Sequence, residues 1–290
     1  MASGWIILDK PSGMTSRGAG ARVARMFGAR TFGHIGTLDP MASGVLPIAL
    51  GAATKMIPFV EDVRCADKEY LFSMQFGTET DTLDITGHET RRTDIIPNRD
   101  AVIGVLGNFV GDIDQVPPLY SAVHVDGRRA YDLARKGARP DIPARRVHID
   151  ALELVDIDGL NWTLRMRCAR GTYVRSVARD IAHLCGTVAT VSMIRRIQAV
   201  GFDIKNTVQL DFLENLVNNG GAPGEILGAV DFGLGDIPVL NLDGKAAGLY
   251  KNGGFIVTSG ANGLRRVYSG GDFIGIGMVD GGVLRPKRTI

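Results

Sequence analysis

The sequence predicts a globular chain that mixes helices with strands and closes in a small β module, on three observations. Residues 147–157 and 162–168 alternate in the manner of paired strands, joined by Asp158-Gly159. Residues 172–184 place Val174, Val177, Ala178 and Ile181 on one helical face and are followed by Gly186. Past a polar, glycine-rich stretch at 218–224 and Pro238, the runs 264–268, 273–279 and 283–285 read as short strands, separated by Ser269-Gly270-Gly271 and Asp280-Gly281. Two domains follow from that boundary, 1–236 and 237–290.

The N-terminal elements follow in order. Residues 5–8 form a short apolar strand, broken by the turn cluster Asp9-Lys10-Pro11-Ser12-Gly13. Thr15 or Ser16 can cap a helix reaching about Phe27, because either hydroxyl can accept an orphan N–H of the first turn. Residues 28–44 are glycine-rich, contain Asp39-Pro40 and read as a loop; 45–50 are buried, with strand and helix both open. Residues 69–76 alternate as a strand, and 78–87, with four threonines and three acids, read as a loop. Residues 100–110 suit a helix, and Pro117-Pro118 keeps 115–120 extended. Ala130, Leu133 and Ala134 recur at helical spacing among arginines, a small helix at 127–137 on a protruding insertion of about 115–147.

The chain is 45% hydrophobic and 22% charged over 290 residues, which sets disorder aside and leaves ample core. Cys65, Cys168 and Cys185 contain no CxxC pair, which excludes a disulfide framework or a zinc ribbon. No basic segment precedes the first apolar run, and no run approaches the roughly 18 residues of a bilayer span, so the expected setting is cytoplasmic, away from membranes. The net charge of +2 conceals segregation. From 115 to 147 seven bases (Arg128, Arg129, Arg135, Lys136, Arg139, Arg145, Arg146) face three acids, and from 163 to 200 seven arginines face Asp180 alone. Arginine forks suit phosphate, which raises the case for an anionic polymer as partner.

Cofactor chemistry finds no support. The five histidines are scattered, which leaves no metal-ligand spacing. No phosphate-binding glycine loop opens a helix, and no Gly-x-Ser-x-Gly elbow is present. The densest candidate for cofactor-free chemistry is the run 33–44. Its glycines permit sharp turns, and Pro40 pushes Asp39 into extended backbone from which a carboxylate can enter a cleft. Read alone, Asp39 could equally start a turn.

Here the residues carry a resemblance. His34-Ile35-Gly36-Thr37-Leu38-Asp39-Pro40 with Ala42-Ser43-Gly44 resembles the catalytic motif of the TruB family of tRNA pseudouridine-55 synthases. Leu8-Asp9-Lys10-Pro11-Ser12-Gly13-Met14-Thr15-Ser16 is similar to its N-terminal motif, and Lys68-Glu69-Tyr70 with Gly77-Thr78-Glu79-Thr80-Asp81-Thr82-Leu83-Asp84 to its tyrosine motif. Pro117-Pro118-Leu119-Tyr120-Ser121-Ala122 and Gly127-Arg128-Arg129-Ala130-Tyr131 resemble an RNA-gripping insertion. Gly171-Thr172-Tyr173-Val174-Arg175-Ser176 and Ile194-Arg195-Arg196 resemble two later motifs, and Phe273-Ile274-Gly275-Ile276-Gly277 with Arg285-Pro286 the C-terminal tail.

The resemblance implies an α+β pseudouridine-synthase fold: a mixed, largely antiparallel sheet with flanking helices, and a small PUA-like C-terminal β domain. It implies isomerisation of the T-loop uridine at position 55 of tRNA, with a flipped-out base, no cofactor, no metal and no guide RNA, by a monomer. The first motif begins within ten residues and no basic extension precedes it, which favours the guide-independent reading. Asp39 matches the nucleophile; attack at C1′, attack at C6 and a glycal route stay open. A carboxylate nucleophile must be ionised, and burial favours the neutral acid unless a cation offsets it. Arg175 matches that cation. Tyr70 matches the residue packed on the target base, and His34 the one filling space left by flipped nucleotides. Tyr173 and Ile194 match base-pocket positions, with Ile194 standing where Leu is common. Lys10 matches an N-terminal lysine that supports the active-site loops. Arg128, Arg129 and Lys136 are the expected RNA contacts of the insertion, and His124 departs from the lysine usual there.

Overall fold

The computed structural model describes residues 2–63, 68–125, 127–138 and 140–290; Cys65 and Arg139 lie outside the described residues. In chain order the elements begin with β1 (Gly4–Lys10), α1 (Ser16–Met26), β2 (Phe32–His34), β3 (Ser43–Leu50), α2 (Ile57–Val63) and β4 (Lys68–Phe76). Next come β5 (Thr78–Thr80), β6 (Glu89–Arg92), α3 (Arg99–Leu106), β7 (Gly111–Gln115), β8 (His124–Val125), β9 (Arg128–Arg129) and α4 (Ala130–Ala134). The N-terminal unit ends with β10 (Arg145–Asp158), β11 (Asn161–Cys168), α5 (Val174–Leu184), β12 (Ala189–Ala199), β13 (Phe202–Asp203), β14 (Val208–Gln209) and α6 (Leu210–Asn218).

Ten strands form one sheet in the order β14-β1-β3-β12-β4-β11-β10-β7, with β2 on β3 and β13 on β12. Pairing is antiparallel except for β1 with β14 and β3 with β12, so the largely antiparallel α+β architecture holds. On one face α1 and α5 pack Val23, Val177 and Ile181 against Leu8, Leu46, Phe72 and Leu164. On the other, Trp5, Val45 and Ala49 meet Met56 and Val60. Residues of β3 are thus covered from both sides. That explains why 45–50 shows an unbroken apolar run instead of alternation. Each large aliphatic side chain so buried contributes about 1.5–3 kcal/mol.

Several elements depart from the sequence reading. Residues 28–44 include β2, which pairs with β3, and 78–87 begin with β5, which pairs with β6; both are three-residue strands whose partners lie outside the segment. The helix expected at 100–110 is α3, followed by a tight turn of 3-10 helix at Gly107–Phe109. The central strand β12 and the helix α6 carry no prediction at all.

The C-terminal unit comprises β15 (Val239–Asn241), α7 (Gly244–Lys251), β16 (Ile256–Val257), β17 (Gly263–Ser269), β18 (Asp272–Asp280) and β19 (Val283–Thr289). Its strands form a sheet in the order β15-β17-β18-β19-β16, as expected of a PUA-like domain. It is not all β: Asp243 caps α7 by accepting the Ala246 N–H, and Ala247 and Tyr250 are buried in the unit's own core. Asp231 ties it to the N-terminal unit, pairing with Arg266 at 2.9 Å and accepting the Tyr268 hydroxyl. Ile276 joins the apolar cluster around Trp5. Among the described residues no helix is long and apolar enough to cross a membrane.

Candidate active site

The Asp39 loop is held from beneath by the turn that follows β1. The Ser16 hydroxyl donates to the Leu38 carbonyl at 3.0 Å and accepts the Leu38 N–H at 2.8 Å, gripping that residue's backbone at both ends. Gly13 N–H donates to Pro40 O at 2.8 Å, and the Ser12 hydroxyl to Met41 O at 2.7 Å. Lys10 is fully buried, and its ammonium donates to Pro11 O at 2.8 Å, Met14 O at 2.6 Å and Pro40 O at 3.4 Å. Burial brings its pKa down to about 8, with the Asp39 charge partly opposing the shift. With its protons spent on carbonyls, Lys10 serves as an anchor of the loop.

β12 supplies the other support. Arg196, wholly buried, bridges the loop's two ends by donating to Gly36 O and Val45 O, both at 2.8 Å. The strands touch closely there: a Cβ on Gly44, whose φ is +106°, would lie 2.1 Å from the Arg196 carbonyl oxygen. Only glycine fits this crossing. The adjacent Arg195 points the other way and forks onto Asp9 at 2.8 and 3.1 Å.

Arg175 stands in the first turn of α5 and is 4% exposed. Its Nε donates to Asp39 Oδ2 at 2.8 Å and its Nη2 to Asp39 Oδ1 at 3.1 Å. The same guanidinium donates to Thr82 O at 2.7 Å and Tyr120 O at 3.0 Å, tying three distant motifs to one planar group. Asp84 lies behind it, Oδ2 at 3.9 Å from Nε, and is itself buried. The Asp84 Oδ1 accepts the Thr82 hydroxyl at 2.9 Å and the Thr86 N–H at 3.0 Å. Leu83 turns this corner with φ of +63°, a strained backbone for a branched residue. Its carbonyl accepts Val191 N–H at 3.0 Å, which holds the corner in place.

The helix that carries Arg175 is capped without a local hydroxyl. Gln115, nearly inaccessible, accepts the Tyr173 N–H at 2.8 Å and donates to Tyr173 O at 3.2 Å. Tyr173 packs on the insertion's small cluster of Val123, Ala130 and Ile142. Tyr70 lies on β4 opposite Arg196, buried in one cluster with Leu38, Val174 and Ile194. Burial pushes its phenol up, so the hydroxyl keeps its proton at neutral pH. His34, half-buried on β2, meets the Thr37 hydroxyl at 3.3 Å. Burial, with Arg196 and Arg17 adding to it, holds the imidazole below its usual 6.5.

Asp39, Arg175, Tyr70, Ile194, Tyr173, Lys10 and His34 therefore gather around the loop. Arg128, Arg129 and Lys136 stand apart, exposed on the β8–β9 hairpin and just after α4. Sequence reasoning gave no role to Ser16 as a loop clamp, quoted Asp84 only as part of a motif, and gave Gln115 no role. For Asp84 a signal existed: threonines at two residues either side can feed a buried carboxylate. Gln115 offered none. Among the described residues no His, Cys, Asp and Glu cluster is arranged to hold a metal ion.

Comparison with known proteins identifies the family. The family model of the TruB family pseudouridylate synthase N-terminal domain matches residues 24–174, and that of the pseudouridine synthase II TruB C-terminal domain matches 238–290. The chain is 47% identical over 239 residues to tRNA pseudouridine synthase B of Caulobacter vibrioides, covering 82% of this chain and 76% of that protein. It is 40% identical over 299 residues to the protein of that name from Gluconacetobacter diazotrophicus, covering 99% and 97%. The fold also resembles that in the crystal structure of a Cbf5-Nop10-Gar1 complex, with a TM-score of 0.69 at 22% identity over 99% of this chain and 84% of that one. With two matching family models and relatives of this identity along its length, the chain belongs to the TruB family and is a pseudouridylate synthase.

Proposed function

We propose that the enzyme isomerises uridine 55 in the T loop of tRNA, without a guide RNA, and that Asp39 is its nucleophile. The observation that carries this is the buried Arg175 fork on a carboxylate that is itself 36% exposed: a cation inside, an anion at the mouth. The N1–C1′ bond breaks, the uracil turns, and C5 bonds to C1′; the C5 proton leaves and N1 gains one. No atom is lost, so these residues need only orient, stabilise charge and move protons. Asp39 attacks C1′ or C6, or assists glycal formation, and Arg175 orients both its oxygens in each case.

The target base leaves its stack to reach Asp39, at a cost of a few kcal/mol. Tyr70 meets the flipped uracil with its ring, and Tyr173 and Ile194 close the pocket around it. His34 takes up space left by the displaced nucleotides. Because the Tyr70 phenol holds its proton, a platform suits it better than a general base. Arg128, Arg129 and Lys136 grip the T arm from the insertion, the 237–290 domain adds a second RNA surface, and the enzyme works as a cytoplasmic monomer. The names of the relatives at 40–47% identity support tRNA as substrate.

The test is direct. The enzyme is incubated with a T-loop hairpin and with full tRNA, and pseudouridine is mapped by carbodiimide-dependent primer extension. Modification at position 55 alone is expected. Modification elsewhere, or only when a guide RNA is added, overturns the assignment.

A further inference from the structure

A groove of about 440 Å³ opens beside His34, bounded by Arg17, Arg30, Thr31, Phe32 and Ile57. Among the described residues no acidic side chain lines it. Arg17 and Arg30 are both exposed, and among the described residues neither makes a hydrogen bond or an ion pair. On the same helix as Arg17, Arg22 by contrast pairs with Glu214. Arg17 also stands in the first turn of α1, where the helix dipole disfavours a cation that lacks an anion.

The remaining walls are not those of a bare anion site. Phe32 and Ile57 are partly buried and apolar, and a Cβ on Gly33 would lie 2.6 Å from Ile57 Cδ1, so glycine lets Ile57 close against β2. His34, neutral at neutral pH, adds a flat ring at the end nearest the catalytic loop. Guanidiniums beside an apolar, aromatic wall match a phosphate joined to a base. The exposed arginines leave the groove open along its side, as a passing strand requires. A few hundred Å³ is enough for one nucleotide.

We propose that this groove holds a nucleotide adjacent to the target uridine, its phosphodiester between Arg17 and Arg30 and its base against Phe32 and Ile57. It thereby fixes where the RNA strand enters the active site. The inference rests on the reading that an RNA uridine is the substrate.

The test uses Arg17→Ala and Arg30→Ala, singly and together, on a T-loop hairpin across a salt series. The double variant is expected to raise KM five- to twentyfold, with the loss in kcat/KM carried by KM. Its log KM should depend less steeply on log salt, by about the 0.7–0.9 of one phosphate contact. Hairpins with a methylphosphonate at each linkage flanking the target then locate that contact. One of them should weaken binding to wild type and leave the double variant unaffected. Wild-type KM and salt slope in the double variant overturn the groove, and so does an unaltered arginine effect on every methylphosphonate hairpin. A wild-type enzyme that isomerises no RNA uridine overturns instead the reading on which the groove depends.

Discussion

Arg175 meets Asp39 side-on, Nε on Oδ2 at 2.8 Å and Nη2 on Oδ1 at 3.1 Å, while two further N–H groups hold the carbonyls of Thr82 and Tyr120. A cation in the first turn of α5 opposes the helix dipole, so carboxylates from two other segments keep it there. The ion pair is therefore also a structural rivet between the Asp39 loop, the 82–84 corner and the insertion.

Arg175→Lys tests the fork. Lysine keeps the charge but offers a point donor that cannot serve Asp39, Thr82 and Tyr120 together. Single-turnover isomerisation should slow by about a hundredfold or more, since small misplacements of a reacting group cost that much. Unfolding in urea should register a loss of about 1–3 kcal/mol from the unsatisfied carbonyls. A Lys variant with the wild-type rate would reduce the fork to a structural contact.

Asp39→Asn retains size and removes the charge. Isomerisation should vanish while hairpin affinity stays within about tenfold, because phosphate contacts dominate RNA binding. The measurement is nucleoside analysis after digestion, with deamidation checked by mass. Turnover by a verified Asn variant defeats the nucleophile assignment.

Tyr70 separates platform from proton carrier. Tyr70→Phe keeps the ring and should retain most activity. Tyr70→Leu removes a stacking contact worth about 1–3 kcal/mol and should lose most of it. Because Tyr70 is buried with Leu38 and Ile194, the Leu variant also opens a cavity, so its melting temperature is read alongside its activity. Failure of the Phe variant with RNA binding intact would assign the hydroxyl a chemical role, and full activity in Leu would leave Tyr70 to the core.

For the insertion, replacing Arg128, Arg129 and Lys136 by Gln should weaken binding to all RNA stems alike and flatten the salt dependence. Phosphate contacts position a duplex without reading it. Arg129 also donates to Ala122 O at 3.3 Å, so the hairpin's integrity is checked by circular dichroism. An unchanged salt slope makes the three a solvated face.

The Asp39 loop was legible in sequence through its resemblance to a family motif: its glycines and Pro40 mark a shaped loop, but the crossing with Arg196 that Gly44 permits is long-range and no local pattern showed it. Helix α1 was legible because Thr15 accepts the Gly18 N–H as a cap. Strand β12 was not, although it lies centrally in the sheet. Its register shifts against β4 between Val191 and Met193 and again between Arg196 and Gln198, and each bulge breaks the alternation that betrays a strand. The pairings of Asp84 and Gln115 stayed hidden for another reason, although threonines flank Asp84. Their partners, Arg175 and the Tyr173 backbone, lie far along the chain, and no local pattern encodes such a pairing.

Lys10 offers a prediction in which the sign is fixed by the fold. Burial holds its pKa at about 8 against a usual 10.5. Between those values the unfolded chain carries a proton that the folded chain lacks. Lys10 therefore adds to stability as pH rises through that window, fully above 10.5, and the contribution is lost as pH falls through about 8. Urea midpoints of wild type and Lys10→Met, taken from pH 7.5 to 10.5, should diverge in favour of wild type toward the alkaline end. Activity should run the opposite way. The ammonium has three protons for Pro11, Met14 and Pro40, and the neutral amine has two, so the weakest tether, Pro40 O at 3.4 Å beside Asp39, is the one released. Wild-type kcat should fall above about pH 8, whereas Lys10→Met should start about tenfold lower and lack that limb. Parallel stability curves and identical alkaline limbs in the two proteins would remove Lys10 from the support of the catalytic loop.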